Sequence, residues 1–245
     1  MQKFLINGKE AQTGTVFLEG RDAKHISKVL RMKPGDTVDL TDGHGTDFKG
    51  EILEIEKDGI RIEIRDATDS ATESPVQITV FQGMLKDGKM DTLVRHLTEL
   101  GITEWVPLRC ERAVAVPDDK KAARRIQRWE TISREALKQC RRSATPHIGL
   151  PASIDEVVER APGFDLKIAF WENADLSSKE LYRYKDKPVQ KIAVMIGPEG
   201  GFSKKEMDRL EQAGFVPYLM GPRILRAETG AMAACTLLQH IFGDL

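Results

Sequence analysis

The chain is poor in cysteine, in aromatic residues and in long apolar runs, and the shortages exclude several classes of protein. Its three cysteines, Cys110, Cys140 and Cys235, lie too far apart for a disulfide framework or a zinc knuckle, so a reducing compartment is expected. The longest apolar runs, such as Ile192–Ile196 and Ala231–Cys235, fall far short of the ~20 residues that cross a bilayer, and no membrane association is expected. The opening MQKFLINGKE has no apolar segment of the secretory kind, which predicts a cytoplasmic protein. Five histidines (His25, His44, His96, His147 and His240) are scattered with no carboxylate or cysteine at ligand spacing, so no metal is expected. Net charge is also nearly absent, 37 Lys/Arg against 38 Asp/Glu. With 40% hydrophobic and 31% charged residues, wholesale disorder is excluded, and 245 residues suffice for two domains.

The near-zero net charge hides an uneven distribution. Residues 1–73 hold 11 Lys/Arg against 15 Asp/Glu, whereas residues 120–142 hold nine basic residues against Glu130 and Glu135 alone. The first seventy residues are dense in turn signals: Asn7-Gly8, Pro34-Gly35-Asp36, Asp42-Gly43-His44-Gly45 and Asp58-Gly59. Between them lie short alternating stretches, which predict a small antiparallel sheet or barrel. One helical segment over 25–32 places Ile26, Val29 and Leu30 at i, i+3, i+4 and predicts all three inward. The polar stretch 66–75, ending in Pro75, reads as a linker.

From Val76 the pattern becomes strand, then helix, repeatedly. Strands are predicted over 76–81, 104–108, 166–171, 191–196 and 215–220, with helices over 89–100, 122–142 and 230–242. Ser203 and Glu206 form a capping box that opens a further helix. This alternation specifies an α/β domain with a mostly parallel sheet. The predicted division is residues 1–72 and 73–245.

Two loops carry the chemistry. The first, Ile196-Gly-Pro-Glu-Gly-Gly-Phe-Ser203, sits between a buried strand and a capped helix. Its glycines let backbone approach a ligand closely, and the helix behind offers unpaired N–H groups. It has neither the Gly-Lys-Ser/Thr of a Walker loop nor a GxGxxG pattern, which disfavours a triphosphate or a dinucleotide. The second, Met220-Gly-Pro-Arg-Ile-Leu-Arg-Ala-Glu-Thr-Gly230, joins two Arg, one Glu and one Thr at the end of a strand, the edge where open α/β sheets bind ligands. A plainer reading pairs Arg226 with Glu228 and lets Glu228-Thr229 cap the last helix.

IGPEGGFSKKE followed by LMGPRILRAETGAM resembles the signature pair of the RsmE family of SPOUT-type methyltransferases. HISKVLRMKPGD at 25–36 is similar to that family's RNA-binding domain, and Gly83-Met84-Leu85-Lys86 to the opening of its catalytic domain. Glu135–Ser143 with Pro146 resembles its central basic helix. The resemblance covers essentially the whole chain, with Gly230 standing where alanine is common. The Asn-Glu-Gly and Ser-Leu-Asn motifs of ribose methyltransferases in that superfamily are absent. It implies a PUA-like RNA-binding β-barrel over 1–72 and a trefoil-knotted α/β domain over 73–245, with the 190–240 region threaded through an earlier loop. It also implies an enzyme that methylates N3 of one uridine in the 16S RNA of the small ribosomal subunit, with S-adenosylmethionine as cofactor and a homodimeric assembly. The rival expectation is a non-catalytic RNA-binding or ribosome-assembly factor of the same fold.

By this resemblance the cofactor site comprises Trp171 and Glu172, the loop residues Ile196, Gly197, Pro198, Glu199, Gly200 and Gly201, and Met220, Gly221, Ile224, Leu225, Arg226 and Thr229. Ile196, Met220 and Leu225 can supply the flat apolar slot that adenine needs. Uracil N3 carries a proton and is a poor nucleophile until it leaves. Arg226 is therefore expected to donate hydrogen bonds to the developing anion, with Glu228 either orienting Arg226 or taking the proton. RNA phosphates are expected on Lys24, Lys28 and Arg31 near the N-terminus and on Arg124, Arg125, Arg128, Arg134, Arg141 and Arg142 of the basic stretch. Nine cations against two anions there is too lopsided for helix ion pairing to be the reason.

Overall fold

A computed structural model describes residues 3–86, 88–113 and 119–245. Its chain divides into two compact units, one of residues 1–73 with 134–145, the other of residues 74–133 with 146–245.

The first unit is built on short alternating strands. β1 (Phe4–Leu5) leads through α1 (Gly8–Ala11), opened by the Asn7 side chain, into β2 (Thr15–Glu19). α2 (Gly20–Lys24) runs on into a π turn over His25–Val29, and β3 (Thr37–Thr41), β4 (Thr46–Ile55) and β5 (Gly59–Asp69) follow. The sheet order is β1-β3-β4-β5-β2, antiparallel except for the β1–β3 pair. Register shifts at Lys49/Gly50 and Ile52/Glu54 curl the sheet into a half-barrel around Phe4, Val16, Leu18, Val38, Leu40, Ile52, Ile60 and Ile62. Gly50 sits where a Cβ would come within 2.4 Å of the Ile62 methyl, so the curl depends on its missing side chain.

Two expectations fail in this unit. The 25–32 segment is not a regular amphipathic helix: Ile26 is buried, but Val29 is 66% exposed and Leu30 is also outside. The cause is the wider turn, in which Leu30 N–H reaches back to the His25 carbonyl, and the stop at Arg31, whose φ is +55°. The stretch 66–75 is not wholly a linker either, because β5 continues to Asp69, paired with Thr46–Lys49 of β4. Its end is anchored. Glu73 accepts hydrogen bonds from Arg142 and from the N–H groups of Ser143 and Ala144.

The second unit alternates as its apolar periodicity predicts. β6 (Gln77–Gly83), α3 (Lys89–Glu99) and β7 (Glu104–Leu108) precede the long α4 (Asp119–Cys140), whose last turns count with the first unit. β8 (His147–Ile148), α5 (Ile154–Arg160), β9 (Leu166–Phe170) and β10 (Leu176–Ser177) follow, then β11 (Lys191–Ile196), α6 (Lys204–Gln212), β12 (Val216–Leu219) and α7 (Ala227–Phe242). All pairs in the seven-stranded sheet are parallel, in the order β10-β12-β9-β11-β6-β7-β8. β12 lies between β9 and β10, two strands laid down one after the other before it.

Both faces of this sheet are covered, so its strands read as continuous apolar runs. In β11, Ile192, Val194 and Ile196 pack with α3, α7 and Trp129 of α4, whereas Ala193 and Met195 pack with Met207 and Leu210 of α6 on the other side. Trp129 is core, stacked edge-on to Trp105, with its indole N–H donated to Asp91. Among the described residues no helix is long and apolar enough to cross a membrane.

Candidate functional site

Three strands of the second unit end side by side, and the loops leaving β9, β11 and β12 enclose one cavity of about 630 Å³. That volume suits a ligand of cofactor size.

The loop after β11 is shaped by glycine. Gly201 has φ +68°, and a Cβ there would meet the Glu172 carboxylate at 2.7 Å. Its N–H closes a turn on the Pro198 carbonyl at 2.9 Å, and Arg112 Nη1 donates to the Gly200 carbonyl at 3.1 Å. Behind the loop, Ser203 caps α6: its Oγ accepts from Glu206 N–H and its own N–H donates to Glu206 Oε2 at 2.8 Å. Glu206 also receives the Glu111 N–H at 2.8 Å, so the capping residue doubles as a strut under the loop. The loop after β12 ends at Arg226, the N-cap of α7, whose carbonyl accepts from Gly230 N–H at 2.8 Å.

The cavity brings together all but one of the residues expected to hold a cofactor. Trp171, Glu172, Ile196, Gly197, Pro198, Glu199, Gly200, Gly201, Met220, Gly221, Ile224, Leu225 and Arg226 line it, as does Glu228, whereas Thr229 is exposed and not on its wall. The periodicity of α7 explains Thr229, which falls one residue past the inward-facing Glu228. Two buried polar atoms on the wall have no partner: the donor Nε1 of Trp171 and the acceptor Oε2 of Glu228. Buried groups of this kind are normally satisfied, which makes both exceptional in this unit.

Arg226 and Glu228 do not form an ion pair. Arg226 is exposed at the cavity without an ion-pair partner among the described residues, and Glu228 stands 3.8 Å from Lys89 instead. Lys89 was not expected here. It opens α3, donates to Glu199 Oε1 at 3.0 Å and lines the cavity together with Arg223. The hydrogen bond to Glu199 is the main reason its pKa is held above the usual lysine value. Burial alone would raise Glu199, but hydrogen bonds from Lys89 and the Lys86 N–H outweigh it and hold that carboxyl below its ordinary range.

The basic residues fall into separate groups. In the first unit Lys24, Lys28, Arg31, Arg134 and Arg141 are exposed, Arg141 lying 3.9 Å from Asp39. Arg142 is the exception: it is buried, 5% exposed at the side chain, and its Nη2 donates to Glu73 at 2.7 Å. Expected as a phosphate ligand, it faces inward and closes the first unit. In the second unit Arg124 and Arg128 are exposed and Arg125 half-buried, with Arg128 Nε donating to Asp91 at 2.6 Å. The side chains of Lys120 and Lys121 lie outside the described residues.

Residues 72–239 match the model of an RNA methyltransferase domain, and residues 18–65 that of an RNA methyltransferase PUA domain. The Ribosomal RNA small subunit methyltransferase E of Buchnera aphidicola subsp. Acyrthosiphon pisum is 33% identical over 228 residues, 93% of this chain and 88% of the relative. This chain belongs to the RsmE family of RNA methyltransferases. A further RsmE, from Bacillus subtilis, is 28% identical and covers 98% of this chain and 96% of its own length. The crystal structure of the Neisseria gonorrhoeae RsmE, bound to S-adenosyl methionine, matches with a TM-score of 0.86 at 28% identity, over 100% of this chain and 99% of that one.

Within this RsmE-family chain the sequence carries a signal for Lys89. Gly88-Lys89-Met90 marks the start of α3, and Met90 and Leu93 turn inward, which leaves Lys89 facing the strand ends. Gly83 was noted for its resemblance alone, yet it backs the loop: a Cβ there would lie 2.3 Å from Pro198 N.

Proposed function

We propose that this chain transfers a methyl group from S-adenosylmethionine to N3 of one uridine in the 16S RNA of the small ribosomal subunit. The observation that carries this reading is the cavity at the ends of β9, β11 and β12, walled by both signature loops and by Lys89. The residues fit the cofactor. Gly197, Gly200 and Gly201 bring backbone to the ligand, and Ile196, Met220 and Leu225 offer an apolar slot.

S-adenosylmethionine supplies a methyl group already activated on a sulfonium, so the protein chiefly aligns the reactants. N3 lies on the pairing edge of uracil, and the base must be unpaired or flipped to enter. Arg226 donates hydrogen bonds to the uracil oxygens as negative charge develops. With no ion pair to Arg226, Glu228 takes the second of its two expected roles and accepts the N3 proton. Lys24, Lys28, Arg31, Arg134 and Arg141 of the first unit, and Arg124, Arg125 and Arg128 of the second, hold phosphates. The same reading makes the enzyme a metal-free cytoplasmic homodimer, paired through the α/β unit. Of the α7 residues Met232, Leu237, Ile241 and Phe242 expected to serve such a contact, Ile241 is buried in the core and the other three, only partly covered in the single chain, suit it.

The test is calorimetry with S-adenosylmethionine, followed by methyl transfer to small subunits and to naked rRNA. Arg226→Ala is expected to bind the cofactor normally while losing roughly 10²–10³ in kcat, the usual cost of removing one anion-stabilising donor. Near-normal turnover by that variant would overturn the role of Arg226. Absence of cofactor binding by the native chain, with RNA binding retained, would favour the non-catalytic factor.

A further inference from the structure

The cavity wall includes one cation that belongs to neither signature loop. Lys89 comes from the first position of α3, and its ammonium meets both sides of the site. On one side it donates to Glu199 Oε1 at 3.0 Å, in the loop after β11. On the other it stands 3.8 Å from Glu228 Oε1, in the first turn of α7. Glu199 is fastened a second time, accepting the Lys86 N–H at 3.2 Å. Three segments distant in sequence therefore converge on one nitrogen.

The two oxygens of Glu228 have different surroundings. Oε1 faces the ammonium, whereas Oε2 is buried without a hydrogen-bond partner. The ion pair on Oε1 restricts how the carboxylate can turn. The remaining charges nearby do not do this work: Arg226 makes no ion pair with Glu228, and Glu199 is a like charge that would repel it if the shared cation were removed.

We propose that Lys89 is a positioning residue for methyl transfer, clasping Glu199 and Glu228 so that the Glu228 carboxylate is presented to the N3–H of the uracil. This rests on the reading of Glu228 as proton acceptor. In the step it serves, the N3 proton passes to the Glu228 carboxylate. The nitrogen electron pair forms the new bond to the methyl carbon, and the carbon–sulfur bond breaks with its electron pair returning to sulfur. The hydrogen bond to Glu199 holds the lysine pKa above its ordinary value, so the clasp stays charged throughout the neutral range.

The experiment compares Lys89→Met, Lys89→Arg, Glu228→Gln and the Lys89→Met/Glu228→Gln double variant of the full chain. It measures kcat on small ribosomal subunits, KM for the RNA, cofactor binding by calorimetry and melting temperature. Lys89→Met is expected to lower kcat by up to about a hundredfold, the cost of a misplaced catalytic group, and Lys89→Arg to recover much of it. In the Glu228→Gln background, Lys89→Met is expected to cause no further loss, because the group it positions is already disabled. Native kcat in Lys89→Met, or losses that multiply in the double variant, would overturn the proposal and leave the role of Glu228 standing. Native turnover in Glu228→Gln, with cofactor bound, would instead remove the proton-acceptor reading, and the positioning role with it. Should Lys89→Met melt early, Lys89→Gln provides the same comparison.

Discussion

A Cβ on Gly83 would lie 2.3 Å from the backbone nitrogen of Pro198 and 2.7 Å from the carbonyl carbon of Gly197. These are backbone atoms of the loop after β11, and unlike a side-chain tip they move only if the loop moves. Gly83→Ala is therefore expected to destabilise the chain by about 1–3 kcal/mol, as overpacking does, and to weaken S-adenosylmethionine binding. Thermal melting and calorimetry check the two effects, and unchanged values in both would contradict the packing argument. Residue types alone picked out most of the cavity's lining, because Gly-Pro-Glu-Gly-Gly and Leu-Arg-Ala-Glu-Thr are local patterns. Lys89 escaped that reading. A lone lysine at a helix start has no pattern of its own, and its contacts are with Glu199 and Glu228, both more than a hundred residues away.

At the scale of elements, α4 and the chain just beyond it show where periodicity stops being informative. The apolar stripe through Trp129 and Leu137 is buried as its spacing predicts. The surrounding cations look alike in sequence, yet Arg141 is exposed and Arg142 is buried on Glu73. Arg141 has φ +67°, so the helical turn ends there and its neighbour turns inward. Arg142→Met is expected to cost about 3 kcal/mol, the lower end of the range for broken buried pairs, because Glu73 keeps some access to water. A lowered melting temperature would register it, and a melting temperature equal to that of Arg141→Met would count against it. The π turn at His25–Val29 is a second case. Its hydrogen bonding rotates Val29 and Leu30 outward, although their spacing suits an α-helix.

At the scale of the whole molecule, the balance of 37 basic and 38 acidic residues gives no hint of a polyanionic partner. Lys24, Lys28, Arg31, Arg124, Arg128, Arg134 and Arg141 are nevertheless exposed, each available to a phosphate. RNA affinity is expected to fall steeply as salt rises, and removal of Arg141 to reduce the salt slope by about one, as for the loss of a single phosphate contact. A filter-binding titration that is flat in salt would refute the phosphate contacts.

The amino-acid sequence by itself determined the layered α/β unit, the curled β unit before it and the two loops that bear the chemistry. Those features depend on apolar period, glycine placement and caps, all of which act over a few residues. Only the tertiary structure decided that β12 inserts between β9 and β10, that residues 134–145 count with the first unit, and that Glu228 pairs with Lys89 and not with Arg226. Each of these is a contact between segments far apart along the chain, selected by which buried surfaces and charges can be satisfied together, and no local pattern encodes that choice.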